Sequence, residues 1–256
     1  ATKPKTTTIH ETPKPNLMAV CILMPAFNEG GTLASTLLGL RANAENFGRI
    51  DVIVVDDGSD VAIRAEQLPP AGPHFTVILA RHAINLGQGA ALETARRIAL
   101  GRGDYNAYVT MDSDGQHRLE DLPALIAPLK SGADVTFGNR FRGDSNVPPI
   151  RRAVLFAAGI FERIVTGLAL QDAHNGYRAF NKKALTLCPI HQSRMAHATE
   201  IKQRIAAAQR HHGVKIAEVA VSIRYTEESL GKGQSSLGAF TILRDLFFRY
   251  LFEGGS

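Results

Sequence analysis

Five short apolar runs rich in β-branched residues recur in the first 140 residues, and helix-like segments separate them. The runs cover residues 18–24, 50–55, 75–80, 106–111 and 133–137, and the helix-like segments cover 30–46, 60–68, 88–102 and 120–131. Short buried strands that alternate with amphipathic helices are typical of an α/β fold with a largely parallel sheet. Ligands of such sheets bind at the carboxyl ends of the strands. We therefore expect the functional residues in the loops that follow the apolar runs.

The second half of the chain has a different pattern. It predicts helices over residues 151–170, 197–211 and 237–252, a short strand over 176–180 and an alternating strand over 215–225. Residues 1–16 are rich in Thr, Lys and Pro without periodicity, which is typical of a disordered arm. We expect one α/β domain over residues 17–236, followed by an amphipathic helix and tail over 237–256.

The composition narrows the class of protein. With 45% hydrophobic and 21% charged residues, the 256-residue chain is typical of globular proteins. Cys21 and Cys188 lie in apolar runs, which favours free thiols in a reducing compartment. No charged-then-apolar leader opens the chain, so we expect a cytoplasmic location. The net charge of +5 favours anionic partners, but no interleaved aromatic and basic platform indicates nucleic acid.

Polar residues follow the first two apolar runs directly. The turn Pro25-Ala26-Phe27-Asn28-Glu29 offers a flat surface for a base and polar groups for its edge, although a strand-to-helix turn capped by Asn28 needs the same residues. The segment Asp56-Asp57-Gly58-Ser59 brings two adjacent carboxylates to a strand end. Their burial is costly unless a cation or hydrogen-bond donors meet them. A helix cap needs only one such residue, so the pair favours a ligand contact.

A glycine-rich segment, Asn85-Leu86-Gly87-Gln88-Gly89, opens a helix after the third run. It is similar to part of the glycine fingerprint of dinucleotide-binding proteins, but Leu92 stands where the third glycine would be. The backbone amides at this helix start are suited to a phosphate or a sugar.

The segment Met111-Asp112-Ser113-Asp114-Gly115-Gln116-His117 follows the fourth run. Carboxylates two residues apart on a turning segment can both approach one hard cation, and Mg²⁺ or Mn²⁺ accepts phosphate and water in its other positions. A bound metal neutralises the charge of a leaving diphosphate. A solvated acidic turn would have the same sequence, but the apolar run before it favours a metal site.

In their order, these motifs closely resemble the family 2 glycosyltransferases with the GT-A fold, and within them the branch of dolichyl- and polyprenyl-phosphate sugar synthases. Further matches bring the resemblance to about residues 18–240: Phe137–Phe141, Asn175–Ala179, Glu218–Val221 and Gly231–Ser236. The resemblance implies a Rossmann-like, mostly parallel central sheet flanked by helices, with C-terminal amphipathic helices. It also implies inverting, metal-dependent transfer of a sugar from a nucleotide diphosphate sugar to a lipid phosphate. We expect a UDP-sugar as the donor, and a GDP-sugar stays open.

Individual roles follow from the same resemblance. The residues that it places on the nucleotide sugar are Pro25, Phe27, Asn28, Glu29, Asp57, Gly87, Gln88, Asp112, Ser113, Arg224, Lys232 and Ser235. It places Asp112, Asp114 and Gln116 on Mg²⁺ or Mn²⁺, with Asp114 also counted as catalytic. Arg140 and Arg178 would face phosphate, because a guanidinium grips two phosphate oxygens at once; a surface salt bridge is the alternative.

The acceptor decides whether a general base is needed. A hydroxyl acceptor requires one, whereas a lipid phosphate, with a second pKa of about 6, is already an oxyanion. Asp172, His174 and Glu200 are the candidate bases for a hydroxyl acceptor, and each also fits a structural role. Transfer to a sugar hydroxyl of a polysaccharide or glycolipid therefore stays open. From other classes, a nucleotidyltransferase and a non-catalytic nucleotide-sugar binder stay open as well.

Two segments are relevant to whether the protein docks on a membrane. Residues 153–170 and 237–252 combine a wide apolar side with charged residues, as in helices that lie in a membrane interface, although packing on the core would give the same pattern. Relatives in the lipid-phosphate branch often carry transmembrane helices, and no apolar run here is long enough to span. We expect peripheral docking at the cytoplasmic face of the membrane, directly or through an integral membrane partner.

Overall fold

The computed structural model describes residues 18–143, 159–160, 163, 166–172, 175–194 and 196–223. The described residues form a seven-stranded sheet with the order β3-β2-β1-β4-β6-β5-β7. Its strands are β1 (Met18–Ala26), β2 (Gly48–Asp56), β3 (Phe75–Arg81), β4 (Ala107–Thr110), β5 (Val135–Asn139), β6 (Arg178–Phe180) and β7 (Ile216–Ala220). Only β6 runs antiparallel to its neighbours β4 and β5 within this sheet. The predicted α/β class with a mostly parallel sheet is confirmed.

Helices cover both faces of the sheet. They are α1 (Gly30–Phe47), α2 (Gln88–Arg102), α3 (Leu122–Lys130), α4 (Lys182–Thr186) and α5 (His197–His212). Helices α1 and α3 pack in one apolar cluster, and α2, α4 and α5 pack in the other. Strand β1 contributes side chains to both clusters, since Val20 and Ile22 belong to the first while Cys21 and Leu23 belong to the second. Successive side chains of a strand point to opposite faces, which explains why a strand covered on both sides is apolar throughout.

Most predicted elements are present, but the helix predicted over residues 60–68 is wrong. That segment contains only a single 3-10 turn, Ala65–Gln67. The buried carboxylate of Asp56 accepts hydrogen bonds from the amides of Ser59 at 2.9 Å and Ile63 at 3.1 Å, which holds the chain in a loop. Pro69 and Pro70 follow, and a residue before proline is driven away from helical angles. A carboxylate that binds local amides thus competes with the helix.

The second half agrees in part with prediction. The helix over 197–211 is confirmed as α5, and the strands over 176–180 and 215–225 are shorter than predicted, with an isolated bridge at Ile223 beyond β7. Helix α4 was not predicted, although Asn181 signals its start, since the Asn181 side chain accepts the Ala184 amide at 2.9 Å.

Several predictions fall outside the described residues. They are the arm at 1–16, the amphipathic segment at 237–256 and most of the helix over 151–170, of which residues 159, 160, 163 and 166 are helical and 167–170 are not. Along the described ranges, no helix combines the length and apolarity that a bilayer crossing demands.

Candidate active site

The loop after β1 is tied to the loop after β2 through Asn28. Asn28 has a positive φ of 57°, which asparagine tolerates better than most residues, and its backbone N–H donates to Ser59 Oγ at 2.9 Å. The Asn28 side chain and Asp60 bond reciprocally, with both distances at 3.0 Å. Asn28 therefore joins two loops at the carboxyl edge, rather than capping α1. Its contact with a nucleotide stays a prediction.

The remaining residues of this turn differ in exposure. Pro25 is buried within β1, Glu29 is half-buried, and Phe27 is 42% exposed. An aromatic ring that is exposed beside a ligand site can stack on any base, because every base has a π face. Phe27 is thus accessible for stacking, and its contact with a base stays a prediction.

Asp57 holds the loop that follows β3. Its Oδ1 accepts the amide of Leu86 at 3.0 Å and lies 2.7 Å from His82 Nδ1, and its Oδ2 accepts the amide of Gly87 at 2.7 Å. The other nitrogen of His82 lies 2.9 Å from Thr94 Oγ1 on α2. Both oxygens of this buried carboxylate are engaged, so Asp57 shapes the glycine-rich loop in this structure. Its predicted contact with the base or ribose remains a prediction.

The amides at the start of α2 are occupied by the protein itself. The N–H groups of Gly89 and Ala90 donate to the carbonyl of Ser193 at 2.7 and 3.3 Å, and the Gly87 N–H binds Asp57. These amides are thus bonded within the chain, and their contact with a phosphate or a sugar stays a prediction. The sequence could not show this, because Ser193 lies more than a hundred residues further along the chain.

Gly89 is required for this close contact, which leads to a stability prediction. A Cβ at Gly89 would lie 2.0 Å from the Gln192 carbonyl oxygen and 2.7 Å from His197 Cβ. We expect Gly89→Ala to lower the free energy of unfolding by about 1–3 kcal/mol, the usual cost of overpacking. Gly101 in the same helix has nothing within 4 Å of its Cβ position, so Gly101→Ala should raise stability by about 0.5–1 kcal/mol. Urea unfolding of both variants checks the pair, and equal effects would contradict the packing of the Ser193 segment on α2.

Asp112 lies just beyond β4 with both oxygens engaged. Gln88 Nε2 donates to Oδ1 at 2.8 Å, and His117 Nε2 lies 3.2 Å from Oδ2. Burial acts to raise the pKa of this carboxyl, but the His117 hydrogen bond and the charge of Arg178 outweigh it, so the pKa lies below its ordinary value. Asp112 is accordingly held as an anion. Gln88 contacts this carboxylate, and its contact with the nucleotide sugar stays a prediction.

The pKa of Asp114 is shifted in the opposite direction. Its two oxygens accept the backbone N–H and the side-chain amide of Gln116 at 3.0 and 2.7 Å. Burial, followed by the charges of Asp112 and Glu29, raises the pKa of Asp114 above its ordinary value. Excess negative charge therefore collects between Asp112 and Asp114, and a cation placed there would relieve it.

The donor set fits a divalent cation that arrives with a diphosphate. Asp112 and Asp114 supply carboxylate oxygens, and the Gln116 amide can add its carbonyl oxygen if it turns from the Asp114 contact. Among the described residues, no group of three or more His, Cys, Asp and Glu side chains is arranged to hold a metal alone. Mg²⁺ and Mn²⁺ often take one or two carboxylates and fill their other positions with phosphate and water. Ser113, between the carboxylates, is buried.

The two predicted phosphate arginines are both buried rather than on the surface. Arg178 lies on β6 beside Thr110 of β4, and its charge reaches Asp112. Arg140 forms a buried ion pair with Asp172, whose Oδ2 accepts Arg140 Nε at 2.7 Å and the Arg140 backbone N–H at 2.9 Å. The structure thus pairs two residues that the resemblance assigned to separate catalytic roles.

Glu200, like Asp172, is engaged by several donors. One Glu200 oxygen accepts the amides of His191 and Gln192, each at 2.8 Å, and the other accepts two guanidinium nitrogens of Arg204 at 2.8 and 3.0 Å. Burial acts to raise the pKa of Glu200, but the two amides and Arg204 lower it by more, so the pKa lies below its ordinary value. A carboxylate with these contacts is a weak base, and its visible role is to hold the segment that covers α2.

The remaining predicted residues, His174, Arg224, Lys232 and Ser235, lie outside the described residues. The prediction from sequence missed His117, although it stands in the same motif as Asp112. It also missed Gly176, where a Cβ would lie only 2.7 Å from Asp112 Oδ2. Motif reading identified the acidic residues but not the groups packed around them.

The chain was compared with known proteins, and the model of the family described as Glycosyl transferase family 2 matches residues 21–187. Similar relatives include an undecaprenyl-phosphate mannosyltransferase of Micrococcus luteus, 31% identical over 227 residues, with 86% of this chain and 89% of the relative covered. A polyprenol monophosphomannose synthase of Mycolicibacterium smegmatis is 29% identical over 223 residues, with 84% and 80% covered.

A similar solved structure is glucosyl-3-phosphoglycerate synthase of Mycobacterium tuberculosis in complex with Mn²⁺ and UDP-glucose. Its TM-score is 0.55 at 22% identity, with 84% of this chain and 74% of that chain covered. At this identity the likeness shows the fold, which is GT-A. The family model matches more than half of the chain, and the sheet order and the position of Asp112 and Asp114 just beyond β4 are consistent with it. The chain therefore belongs to glycosyl transferase family 2, as an enzyme that transfers sugars.

Proposed function

We propose that this enzyme transfers a sugar from a UDP-sugar to a polyprenyl phosphate, with inversion at the anomeric carbon and with a divalent cation. The two relatives named above act on undecaprenyl phosphate and polyprenol, which supports this acceptor class. The solved neighbour carries UDP-glucose and Mn²⁺, which supports UDP over GDP and a divalent cation. Family membership sets aside the nucleotidyltransferase and the non-catalytic binder.

One observation carries the choice of acceptor. Of the three candidate bases, the two that the structure describes are already engaged, Asp172 by Arg140 and Glu200 by Arg204 and two amides. A hydroxyl acceptor would need such a base to be available. A phosphate monoester needs none, because its second pKa is about 6 and its oxygen already carries charge. The pairing therefore favours a phosphate acceptor over a sugar hydroxyl.

The chain's residues take the following proposed roles. Asp112 and Asp114, with Gln116, hold the cation, which neutralises the charge that develops on the leaving diphosphate. Phe27 stacks on the base, while Pro25, Asn28, Glu29 and Asp57 shape its pocket. Arg178 stabilises phosphate charge at the same edge, because it is buried close enough to act on Asp112. Arg224, Lys232 and Ser235 are proposed to close over the diphosphate.

We further propose that the acceptor is met at the cytoplasmic face of a membrane. A lipid phosphate lies in a bilayer, so an enzyme that uses it must reach the bilayer surface. Residues 237–256 are the proposed contact, because they have a wide apolar side with charged residues, whereas Leu168 and Leu170 of the segment 153–170 are buried in the core. Docking through an integral membrane partner is the alternative arrangement.

The test measures nucleoside diphosphate released by the purified chain from a panel of UDP- and GDP-sugars with Mn²⁺ or Mg²⁺. Each reaction is run with a short polyprenyl phosphate and, as the matched control, with the corresponding polyprenol, which has the same chain but a hydroxyl end. Release that requires both the metal and the phosphate is expected. Equal release with the polyprenol would overturn the phosphate acceptor, and release in the presence of a chelator would overturn the metal.

A further inference from the structure

We propose that His117 and Gln88 are positioning residues that grip the two oxygens of Asp112, and so fix the orientation in which this carboxylate meets its cation. The proposal rests on the proposed function for the identity of the ligand. The contacts of His117 and Gln88 with the two Asp112 oxygens, here called the grip, belong to the chain alone and can be tested without any ligand. It assigns His117, which neither the motif nor the family resemblance had given a role.

The first side of the grip comes from the glycine-rich loop. Gln88 is the first residue of α2, and its Nε2 donates to Asp112 Oδ1 at 2.8 Å. The start of α2 is itself fixed, since Ser193 accepts the Gly89 amide and Asp57 accepts the Gly87 amide. Gln88 therefore reaches Asp112 from a backbone held on both sides.

The second side comes from the His117 ring. Its Nε2 lies 3.2 Å from Asp112 Oδ2, and the ring packs on Tyr177 with centroids 4.7 Å apart. Within the described residues, buried His117 Nδ1 has no hydrogen-bond partner. With the proton on Nδ1, a buried donor would lack an acceptor, and the lone pair of Nε2 would face the acceptor oxygen of Asp112. The arrangement therefore favours the tautomer with the proton on Nε2, which donates to Asp112.

The third side of the carboxylate is closed by backbone. A Cβ at Gly176 would lie 2.7 Å from Asp112 Oδ2, so glycine leaves just the room that the carboxylate occupies. The carbonyl of Gly176 is held in turn by Thr110 Oγ1, which donates to it at 2.6 Å. Asp112 thus sits between a side-chain donor on each oxygen and a fixed backbone wall.

Among the residues that the structure describes, no distant element bonds Asp114 in this way, since both of its hydrogen bonds come from Gln116 in its own turn. The two carboxylates therefore have different tasks. Asp112 is pre-oriented by distant elements, while Asp114 can adjust with its turn. Groups that orient a metal-binding side chain usually change metal affinity by about 10–100-fold when they are removed.

The experiment compares three variants with the wild type in two measurements. His117→Phe keeps the ring contact with Tyr177 and deletes the donor, and His117→Gln restores an amide donor near the position of Nε2. His74→Phe is the matched control, because His74 bonds the Gly48 carbonyl at the opposite end of the sheet. The first measurement is Mn²⁺ affinity in the presence of UDP, from free Mn²⁺ by electron paramagnetic resonance. The second is the ¹⁵N NMR spectrum of His117 in the metal-free protein.

We expect His117→Phe to weaken Mn²⁺ binding by about 10–100-fold, His117→Gln to recover most of that loss, and His74→Phe to bind as the wild type does. We expect the metal-free spectrum to show the Nε2–H tautomer and to change in Asp112→Asn. Wild-type Mn²⁺ affinity in His117→Phe, or an Nδ1–H tautomer, would overturn the proposal. If the wild type binds no Mn²⁺ with UDP, the proposed function fails, while the tautomer still decides whether the grip exists.

Discussion

Replacing Asp114 with alanine is expected to lower kcat/KM for sugar transfer by about 10³-fold, because the variant loses a charge that holds the cation against the leaving diphosphate. Released nucleoside diphosphate in the polyprenyl phosphate assay measures the loss. The effect should appear in kcat as well as in substrate binding, since the diphosphate carries its full charge only as the bond breaks.

The same substitution should leave the fold intact. Burial and the charge of Asp112 raise the pKa of Asp114, which means that its carboxylate is poorly compensated in the metal-free protein. Its removal should therefore keep the Tm or raise it slightly. Asp104→Ala is the matched control, because Asp104 is an exposed carboxylate before the amino end of β4, whereas Asp112 and Asp114 follow its carboxyl end. An Asp114→Ala enzyme that keeps more than about a tenth of wild-type kcat/KM would contradict the assignment.

Removing Glu93 is expected to cause the largest loss of stability, about 3–5 kcal/mol for Glu93→Ala. Glu93 accepts Arg96 at 2.7 and 3.0 Å, Arg97 at 2.7 Å and the Ile190 amide at 2.9 Å. The Arg96 guanidinium is buried and also donates to the Leu185 carbonyl at 3.2 Å. Without Glu93, a buried charge and a buried amide lose their acceptor, and α2 loses its tie to the segment after α4.

Urea unfolding at neutral pH measures this loss. Arg97→Ala provides the matched control, because it breaks an ion pair of the same carboxylate on the exposed side. The Arg97 side chain is 74% exposed, so its removal should cost less than about 1 kcal/mol. Equal losses in the two variants would show that the buried half of the network contributes nothing of its own.

Glu93 also predicts how stability depends on pH. Burial would raise its pKa, but Arg96, the Ile190 amide and Arg97 lower it from 4.5 to about 2. A depressed carboxyl pKa contributes stability that is present above the unfolded value and is lost as the pH falls through the folded value. The contribution should therefore disappear between about pH 4.5 and pH 2, and Glu93→Gln should lack this part of the acid dependence. Urea midpoints from pH 6 to pH 3 show whether the difference between the two variants shrinks as the pH falls.

Local pattern was sufficient for the sheet and for the main helices. The β-branched runs predicted all five strands of the first half, with bounds within a few residues of those observed. A strand that is covered on both faces is apolar along its whole length, so it shows as a continuous run. Helices α1, α2 and α5 followed from spacing that repeats with the helical turn. The helix predicted over 60–68 failed because the Asp56 carboxylate binds the local amides, and no periodicity reports that competition.

The sequence also placed the acidic site correctly at the carboxyl edge. Asp112 and Asp114 directly follow a buried strand, and the parallel order of β1, β2 and β4 brings their carboxyl ends together. A site formed by two residues that are two positions apart, such as Asp112 and Asp114, can be predicted from the sequence, because the backbone between them limits their separation.

Only the tertiary structure decided what each charged group does. A sequence shows that Asp57, Asp172 and Glu200 are carboxylates, but each becomes a candidate base or a structural acceptor according to the donors that face it. The donor lies 25 residues away in the His82–Asp57 pair and 32 residues away in the Arg140–Asp172 pair, whereas the donors to Glu200 lie within nine residues of it. Ser193 at the start of α2 is a further distant partner, and His117, although it stands in the same motif as Asp112, packs on the distant Tyr177. Composition and spacing determine which groups are present, whereas burial and distant partners determine their charge and their reach.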